Sequence, residues 1–183
     1  IYIDGNEVLS DNKIQRTMKK TNEKKKLVNL FRQKKFVESD YETDKALIIK
    51  KYNELGYRDA RIVSDSVTKY NDKYVDVHLK VEEGKKYYIS DISWAGNTIY
   101  SSEYLDLLLG MKKGDVYNQT LLNKRTMEDD DAVANLYMNN GYLFFQLVPI
   151  ESKIEGDSIA LEMRVMEGPQ ARINNIAING NDR

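Results

Sequence analysis

The stretch "VDVHLKVEEG" (residues 75–84) alternates apolar and polar side chains and then closes on Glu-Gly. A matching stretch, "IALEMRVMEG" (159–168), follows 84 residues later. Strict alternation is typical of a strand that buries one face of a sheet and exposes the other. Two copies of this pattern therefore predict that the chain repeats one structural unit.

Other repeated patterns have nearly the same spacing. "ISDISWAGN" (89–97) matches "INNIAINGN" (173–181), and "IYIDGN" (1–6) keeps the end of the same pattern. Each is an alternating stretch that ends at Gly-Asn, a pair typical of turns. The chain thus contains two full repeats and the first strand of a third, and we expect it to be a piece of a longer array.

Four glycines occupy equivalent places in the repeats. Gly5 and Gly96 belong to the Gly-Asn turns. Gly56 and Gly141 belong to "YNELGYRDARI" and "YMNNGYLFFQL", where a helix ends and a strand follows. Glycine adopts the left-handed conformation of such a helix end without steric cost. We interpret all four as structural turn or cap residues, and the tyrosines after Gly56 and Gly141 as packing residues.

Two helices are predicted between the first strand and the later strands of each repeat. A short helix follows Ser10 in the first repeat, and its counterpart in the second repeat ends at Gly110. A longer helix covers about 37–55 in the first repeat. In the second repeat it begins after Asn118, and the wider spacing there predicts a helix one turn longer.

These elements predict an α+β protein made of two tandem β-α-α-β-β modules. Each module would be a three-stranded mixed sheet covered on one face by two helices. The predicted modules are residues 1–84 and 85–168, and residues 169–183 would be a linker and the opening strand of a further module. The later strands are predicted at 59–69, 74–82, 142–152 and 158–166.

The composition is that of a globular protein and carries few chemical groups. The chain is 41% hydrophobic and 31% charged, with a net charge of −1 and no cysteine. The absence of cysteine excludes disulfides and thiolate metal sites. The single histidine, His78, is predicted on the polar face of a strand, and the acidic run at 128–131 lacks the pattern of a calcium loop. We expect no catalytic residues, no cofactor and no metal.

A basic segment is the most unusual local feature of the composition. Residues 13–35 contain ten of the 28 lysines and arginines. Either they form a solvated surface, or they contact anionic lipid headgroups or an acidic partner lipoprotein. The ten are Lys13, Arg16, Lys19, Lys20, Lys24, Lys25, Lys26, Arg32, Lys34 and Lys35.

Together the motifs resemble those of POTRA domains in the BamA family of outer-membrane protein assembly factors. The resemblance is carried by the strand ending in Gly-Asn, the Tyr-x-x-x-Gly-Tyr pattern and the closing Glu-Gly. "GDVYN" (114–118) and "MEDD" (127–130) are similar to sequences of the fourth module of such arrays, which makes the preceding repeat a third module.

The resemblance implies a non-enzymatic periplasmic scaffold, the soluble part of an outer-membrane protein of a Gram-negative bacterium. Its partners would be unfolded outer-membrane proteins, accessory lipoproteins, adjacent POTRA modules and a C-terminal membrane barrel. An alternative within the family is a related translocation or secretion transporter. An alternative of another class is a KH-like cytoplasmic nucleic-acid-binding module, but its Gly-x-x-Gly clamp is missing, so we expect no nucleic acid.

The resemblance also implies that the second strand of each module lies at a sheet edge and accepts an incoming strand by β-augmentation. The first module has no proline there, whereas Pro149 interrupts the equivalent strand of the second. We therefore predict that the first module carries the better docking edge, and that proline at Val63 weakens binding more than alanine does. The candidate binding residues are Asp59, Arg61, Ile62, Val63, Ser64, Asp65 and Val67.

Overall fold

The computed structural model describes residues 1–21 and 35–177. The chain divides into two compact units. The first comprises Ile1–Tyr88, Val116–Leu121 and Gly156–Ser158. The second comprises Ile89–Asp115, Leu122–Glu155 and Ile159–Arg183. Each unit contains a three-stranded mixed sheet with helices, so the predicted fold class is confirmed.

The first unit has the predicted order of elements. They are β1 (Tyr2–Asp4), α1 (Asp11–Thr17), α2 (Glu38–Glu54), β2 (Arg61–Lys69) and β3 (Val75–Glu82). The sheet order is β1-β3-β2, with β1 parallel and β2 antiparallel to the central β3. The strand that closes the repeat in sequence is thus the middle strand of the sheet.

The core of the first unit follows from the alternation in β3. Val77, Leu79 and Val81 are buried, whereas Asp76, His78 and Lys80 point away. Both helices cover the buried face, which α1 contacts through Ile14 and α2 through Tyr41, Ile48 and Tyr52. The core residues are Leu9, Ile14, Met18, Tyr41, Ile48, Tyr52, Ala60, Val77, Leu79 and Val81.

A buried carboxylate on the long helix α2 binds the chain that follows α1. Asp44 is fully buried, although most aspartates are exposed. Its oxygens accept hydrogen bonds from the backbone N–H groups of Lys20 and Thr21. A buried charge is tolerated when such bonds satisfy it. Asp44 therefore holds Lys20 and Thr21, shortly after the end of α1, against α2.

The remaining elements belong wholly or largely to the second unit, except that residues 119–121 of one short helix belong to the first. They are β4 (Tyr88–Ala95), α3 (Ser102–Leu109), α4 (Gln119–Asn123), a π-helical turn (Lys124–Glu128), α5 (Val133–Asn139), β5 (Gln146–Glu155) and β6 (Ser158–Met166). The sheet order is β4-β6-β5, so the closing strand is again central. The alternating residues Ile159, Leu161, Met163 and Val165 are all buried.

The prediction of one longer helix in the second module is wrong. The helix ends at Asn123, continues as a π-helical turn and stops at Asp129, whose backbone is extended (φ −70°, ψ 152°). A new helix, α5, begins at Val133. The additional residues of this module therefore form an irregular break instead of a further α-helical turn.

Arg125 explains where the helix breaks. Its guanidinium donates to the carbonyl oxygens of Leu108 and Leu109 at the end of α3. It also pairs with Asp131 at 2.7 Å and Asp129 at 3.4 Å. The acidic run at 128–131 is thus part of the break, where two of its aspartates bind Arg125.

The predicted opening strand at 173–181 is only partly within the described residues. Its residues Ile178, Gly180 and Asn181 lie outside them. Residues 171–177 form neither helix nor strand. In the first module β1 pairs with β3 of its own sheet, and the described part of the chain holds no third closing strand for 173–177 to pair with.

Candidate functional site

The strand β2 lies at an edge of the first sheet. Along one side it pairs with β3, from Arg61 opposite Glu82 to Lys69 opposite Val75. Among residues 1–21 and 35–177, no strand pairs with its other side. An open edge presents main-chain N–H and C=O groups that can pair with another chain.

The register shows which residues face the open side. Beyond the ladder, the N–H of Tyr70 donates to the carbonyl of Tyr74 at 3.0 Å. Hydrogen-bonded and non-hydrogen-bonded pairs alternate along an antiparallel ladder. Asp65, Val67 and Lys69 therefore direct their main-chain groups outward, whereas the residues between them bond to β3.

A β-bulge modifies the predicted docking strand at Val63. Ile62 lies opposite Val81 and Ser64 lies opposite Lys80, so Val63 is an extra residue without a direct partner. A bulge bends and twists its strand locally. A guest strand could therefore pair regularly with β2 only from Ser64 onward. Val63 lies in the bulge, so a proline there would not test this pairing.

Asp59 does not belong to the strand, although it was predicted there. It lies in the turn before β2, which begins at Arg61. Its carboxylate accepts a hydrogen bond from the Tyr87 hydroxyl at 2.6 Å and pairs with Arg58 at 2.6 Å. These contacts give Asp59 a structural role at the end of the first module.

Helix α2 places charged side chains beside the β2 edge. The Lys45 ammonium lies 3.1 Å from Asp65 on β2 and 2.7 Å from Glu42 on its own helix. Burial alone lowers the pKa of Lys45, but its bonds to Glu42 and Asp65 outweigh burial and raise the pKa. Burial and the charge of Asp65 raise the pKa of Tyr41, whose ring lies 5.0 Å from the Lys45 ammonium.

Apolar side chains line the same edge without being covered. Val63 is 42% exposed and Val67 is 38% exposed. Around the β2–β3 hairpin, Tyr70, Tyr74 and Val75 are exposed as well. The edge thus combines open main-chain groups with apolar side chains that an incoming strand would cover.

The equivalent strand in the second unit is β5, which is also an edge strand. Pro149 lies inside it, as the sequence predicted. Proline has no N–H to donate to a partner strand and is confined to edges or bulges for that reason. The two modules therefore offer unequal edges.

All four predicted turn glycines have a positive φ: Gly5 (80°), Gly56 (92°), Gly96 (89°) and Gly141 (88°). At two of them a side chain would also clash with the backbone of the central strand. A Cβ added to Gly5 would lie 2.1 Å from the Val81 carbonyl oxygen, and one on Gly96 would lie 2.1 Å from that of Val165. These glycines let the turn after the first strand pass directly over the central strand.

The sequence analysis missed the role of two glutamates, Glu83 and Glu167. The hydroxyl of Tyr52 donates to Glu83 at 2.8 Å, and that of Tyr137 donates to Glu167 at 3.0 Å. Each tyrosine opens its Tyr-x-x-x-Gly-Tyr pattern, and each glutamate belongs to a closing Glu-Gly. The equal spacing of the two motifs was the signal that could have linked them.

Each glutamate also binds the loop after the first strand. Glu83 accepts from the Val8 N–H at 2.9 Å, and Glu167 accepts from the N–H groups of Thr98 (2.8 Å) and Ile99 (2.9 Å). Burial alone raises the pKa of Glu167, but these bonds outweigh burial and hold it below its ordinary value. One carboxylate thus joins three segments of each module.

The other candidate sites of the sequence show no chemistry. His78 lies on the open face of the sheet, and its ring stacks on Tyr2 at 4.7 Å. Within residues 1–21 and 35–177, no three His, Asp or Glu side chains are grouped so as to hold a metal ion. Over the same residues, no helix has the length and apolar character needed to cross a bilayer.

The basic segment is described only in part. Its lysines and arginines at 24–26, 32 and 34 lie outside the described residues. The Lys20 ammonium is paired with Asp40 on α2 at 3.0 Å. This pair is exposed, so it contributes little to stability.

The POTRA family model, described as a surface antigen variable number repeat, matches residues 1–84 and 87–168. The chain belongs to the POTRA family. Its two matches are consistent with the pair of similar sheets and with the repeated Gly-Asn and Glu-Gly turns. The predicted resemblance to BamA-type POTRA domains is confirmed.

Similar proteins include outer-membrane assembly factors. A Treponema pallidum protein provisionally named an outer membrane protein assembly factor is 29% identical to this POTRA chain over 151 residues, 79% of the chain and 18% of the relative. The outer membrane protein assembly factor BamA of Neisseria meningitidis serogroup B is 26% identical over 125 residues, 64% of the chain and 16% of the relative. The chain spans less than a fifth of the length of either relative.

Solved POTRA structures have the same fold. The crystal structure of Haemophilus influenzae BamA POTRA3-5 superposes with a TM-score of 0.67 at 21% identity, covering 99% of this chain and 70% of that one. The crystal structure of BamA from Haemophilus ducreyi lacking POTRA domains 1-3 gives a TM-score of 0.59 at 14% identity, covering 90% of this chain and 29% of that one.

Proposed function

We propose that this chain is a non-enzymatic periplasmic segment of a BamA-type outer-membrane protein assembly factor. It binds unfolded outer-membrane proteins and accessory lipoproteins by adding their strands to its own sheet. The names of its relatives support the assembly role. In the full protein it adjoins further POTRA modules and a C-terminal barrel, and its two repeats, 1–84 and 85–168, are the third and fourth modules.

The open edge of β2 is the observation that carries this proposal. Three alternate residues, Asp65, Val67 and Lys69, direct main-chain groups outward, and β2 contains no proline. Main-chain bonds attract a guest strand whatever its side chains are. This property suits a protein that must bind many different clients.

The expected affinity is low. Three outward residues form about four to six main-chain bonds, worth about 0.5–1.5 kcal/mol each. Ordering the guest strand and losing its free motion offset a large part of this gain and leave at most about 4 kcal/mol of net binding. The dissociation constant for one edge should therefore be about millimolar, which suits transient transfer, and repeated modules would raise the effective concentration.

Proline at Val67 tests this edge. The N–H of Val67 faces outward, so Val67→Pro removes one guest bond without removing a bond to β3. The guest is a peptide of about ten residues that copies one strand of an outer-membrane barrel. We expect binding at least about fivefold weaker than with Val67→Ala, a difference of about 1 kcal/mol.

The control compares the folded state of both variants. The amides of Ser66 and Thr68 should keep their slow hydrogen exchange in Val67→Pro, because their bonds to β3 remain. Equal loss of binding by the proline and alanine variants, with both folded, would show that the edge does not bind the guest through its main chain.

A further inference from the structure

The second unit has an open edge of its own at β4, on the opposite side of the sheet from β5. Near its start, Ile89 bonds outward: its N–H donates to Asp115 at 2.8 Å and its carbonyl accepts from Gly114 at 2.7 Å. Alternate residues of a strand direct their main-chain groups to the same side. Asp91, Ser93 and Ala95 therefore face this side too, beyond the segment that covers Ile89.

A groove of about 590 Å³ lies beside Asp91 and Ile92 of β4. Helix α3 forms its other wall, and Leu107 is the most exposed apolar residue there, at 79%. Ile92 lies in the groove on the strand side. An exposed leucine beside an open strand edge gives an incoming strand both main-chain partners and one apolar contact.

The two ends of the groove have opposite charge. Lys112 and Lys113 lie at the end next to the start of β4, where Gly114 binds Ile89. Glu103 and Asp106 lie along α3 toward the other end, where Asp106 accepts a hydrogen bond from Trp94 at 2.7 Å. Within the part of the chain that the structure describes, no ion pair joins either lysine to an acidic side chain.

We propose that this groove binds an extended segment of another protein, aligned antiparallel to β4. Antiparallel pairing is the more stable arrangement per residue. Charge complementarity then fixes the order of the guest side chains that face α3: a basic residue, an apolar residue and an acidic residue, each two positions after the last. The basic residue approaches Asp106, the apolar one covers Leu107, and the acidic one approaches Lys112.

This site is independent of the proposed client edge at β2. It lies on the first strand of the other module and selects its guest by charge order, whereas the binding proposed at β2 uses main-chain groups and exposed apolar side chains and does not depend on charge order. It fits one specific partner better than a range of clients.

Two peptides of identical composition provide the test. The probe is the capped peptide Thr-Arg-Thr-Ile-Thr-Glu-Thr, and the control is Thr-Glu-Thr-Ile-Thr-Arg-Thr, titrated into the isotope-labelled chain and followed by amide chemical shifts. We expect saturable shifts at Asp91, Ser93 and Ala95, and binding of the control at least about threefold weaker.

Variants distinguish binding in this groove from nonspecific binding to the surface. Leu107→Ser should weaken the probe at least about threefold and leave folding unchanged, because the side chain is already exposed. Changing both Lys112 and Lys113 to Glu should abolish the preference between the peptides, because both ends of the groove are then acidic. Val67→Pro, which alters the β2 edge, should leave binding of the probe unchanged. The proposal for β2 and the proposal for this groove can therefore be contradicted independently.

Three outcomes would overturn the proposal. They are equal affinity for the two peptides, shifts that map away from β4 and α3, and no saturable shift at concentrations of about 5 mM, which is the weakest binding a single edge should show.

Discussion

A single carboxylate organises each module at the scale of residues. Glu167 receives hydrogen bonds from a helix tyrosine and from the loop after the first strand, and Glu83 has the same place in the first module. The Glu-Gly motif is therefore more than the end of a strand. Its glutamate connects the sheet, the long helix and the opening loop.

Replacing Glu167 with glutamine should lower the free energy of unfolding by about 1–3 kcal/mol. The amide keeps one acceptor oxygen but loses the charge that strengthens four hydrogen bonds, from the Thr98 N–H and hydroxyl, the Ile99 N–H and the Tyr137 hydroxyl. Urea unfolding measures the change. Glu155→Gln is the matched control, because its exposed pair with Lys153 should contribute at most about 1 kcal/mol, and equal effects of both changes would contradict the role of Glu167.

The same carboxylate predicts a pH dependence. The pKa of Glu167 is lower in the folded state than in the unfolded chain. Its contribution is therefore complete above the unfolded value of about 4.3 and is lost as the pH falls through the folded pKa. Unfolding curves between pH 7 and pH 3 should show a steeper loss of stability in the native chain than in Glu167→Gln; parallel curves would contradict this.

Gly96 tests the close approach of two backbone segments. A Cβ there would meet the Val165 carbonyl at 2.1 Å, whereas one at Gly110 would meet nothing within 4 Å. Both glycines have a positive φ. Gly110→Ala should cost only the conformational strain of about 1–2 kcal/mol, and Gly96→Ala should cost clearly more in urea unfolding. Similar costs would mean that the loop can move away from β6.

At the scale of elements, the break in the long helix of the second module has a specific cause. Arg125 bonds to the carbonyls that end α3, and it pairs with the acidic residues that follow the π-helical turn. The free C-terminal carbonyls of a helix need such partners. The break is thus fixed by contacts between elements and not by a weak helical sequence.

Arg125→Met should therefore destabilise the second unit by about 1–3 kcal/mol, since two carbonyls and two carboxylates lose a charged donor. Lys124→Met is the control, because Lys124 is the exposed neighbour of Arg125. Thermal unfolding followed by circular dichroism measures both variants. A loss of similar size in the two would show that charge alone, and not the contacts of Arg125, matters.

The sequence predicted regular elements well and local departures poorly. The alternation from Val75 to Val81 placed β3 correctly, because a sheet with one buried face imposes that period. The bulge at Val63 and the π-helical turn at Lys124–Glu128 were missed, because each depends on a partner distant in sequence. The same holds for Asp44, whose burial is possible only with donors from the segment after α1.

At the scale of the whole chain, repetition was the most informative signal. Two matched sets of turns, 84 residues apart, predicted two similar units, and each unit has its own sheet and buried core. Repetition does not make the units equivalent in function. Bulge, proline and edge charges differ between them, so we expect the two modules to bind different partners.

Hydrogen exchange with a bound guest tests the central claim most directly. When a barrel-strand peptide is added to the chain, the amides of Asp65, Val67 and Lys69 should gain protection, because each acquires a partner on the open side of β2. Ser66 and Thr68, already bonded to β3, should not change. Uniform protection along β2, or protection gained only elsewhere, would contradict strand addition at this edge.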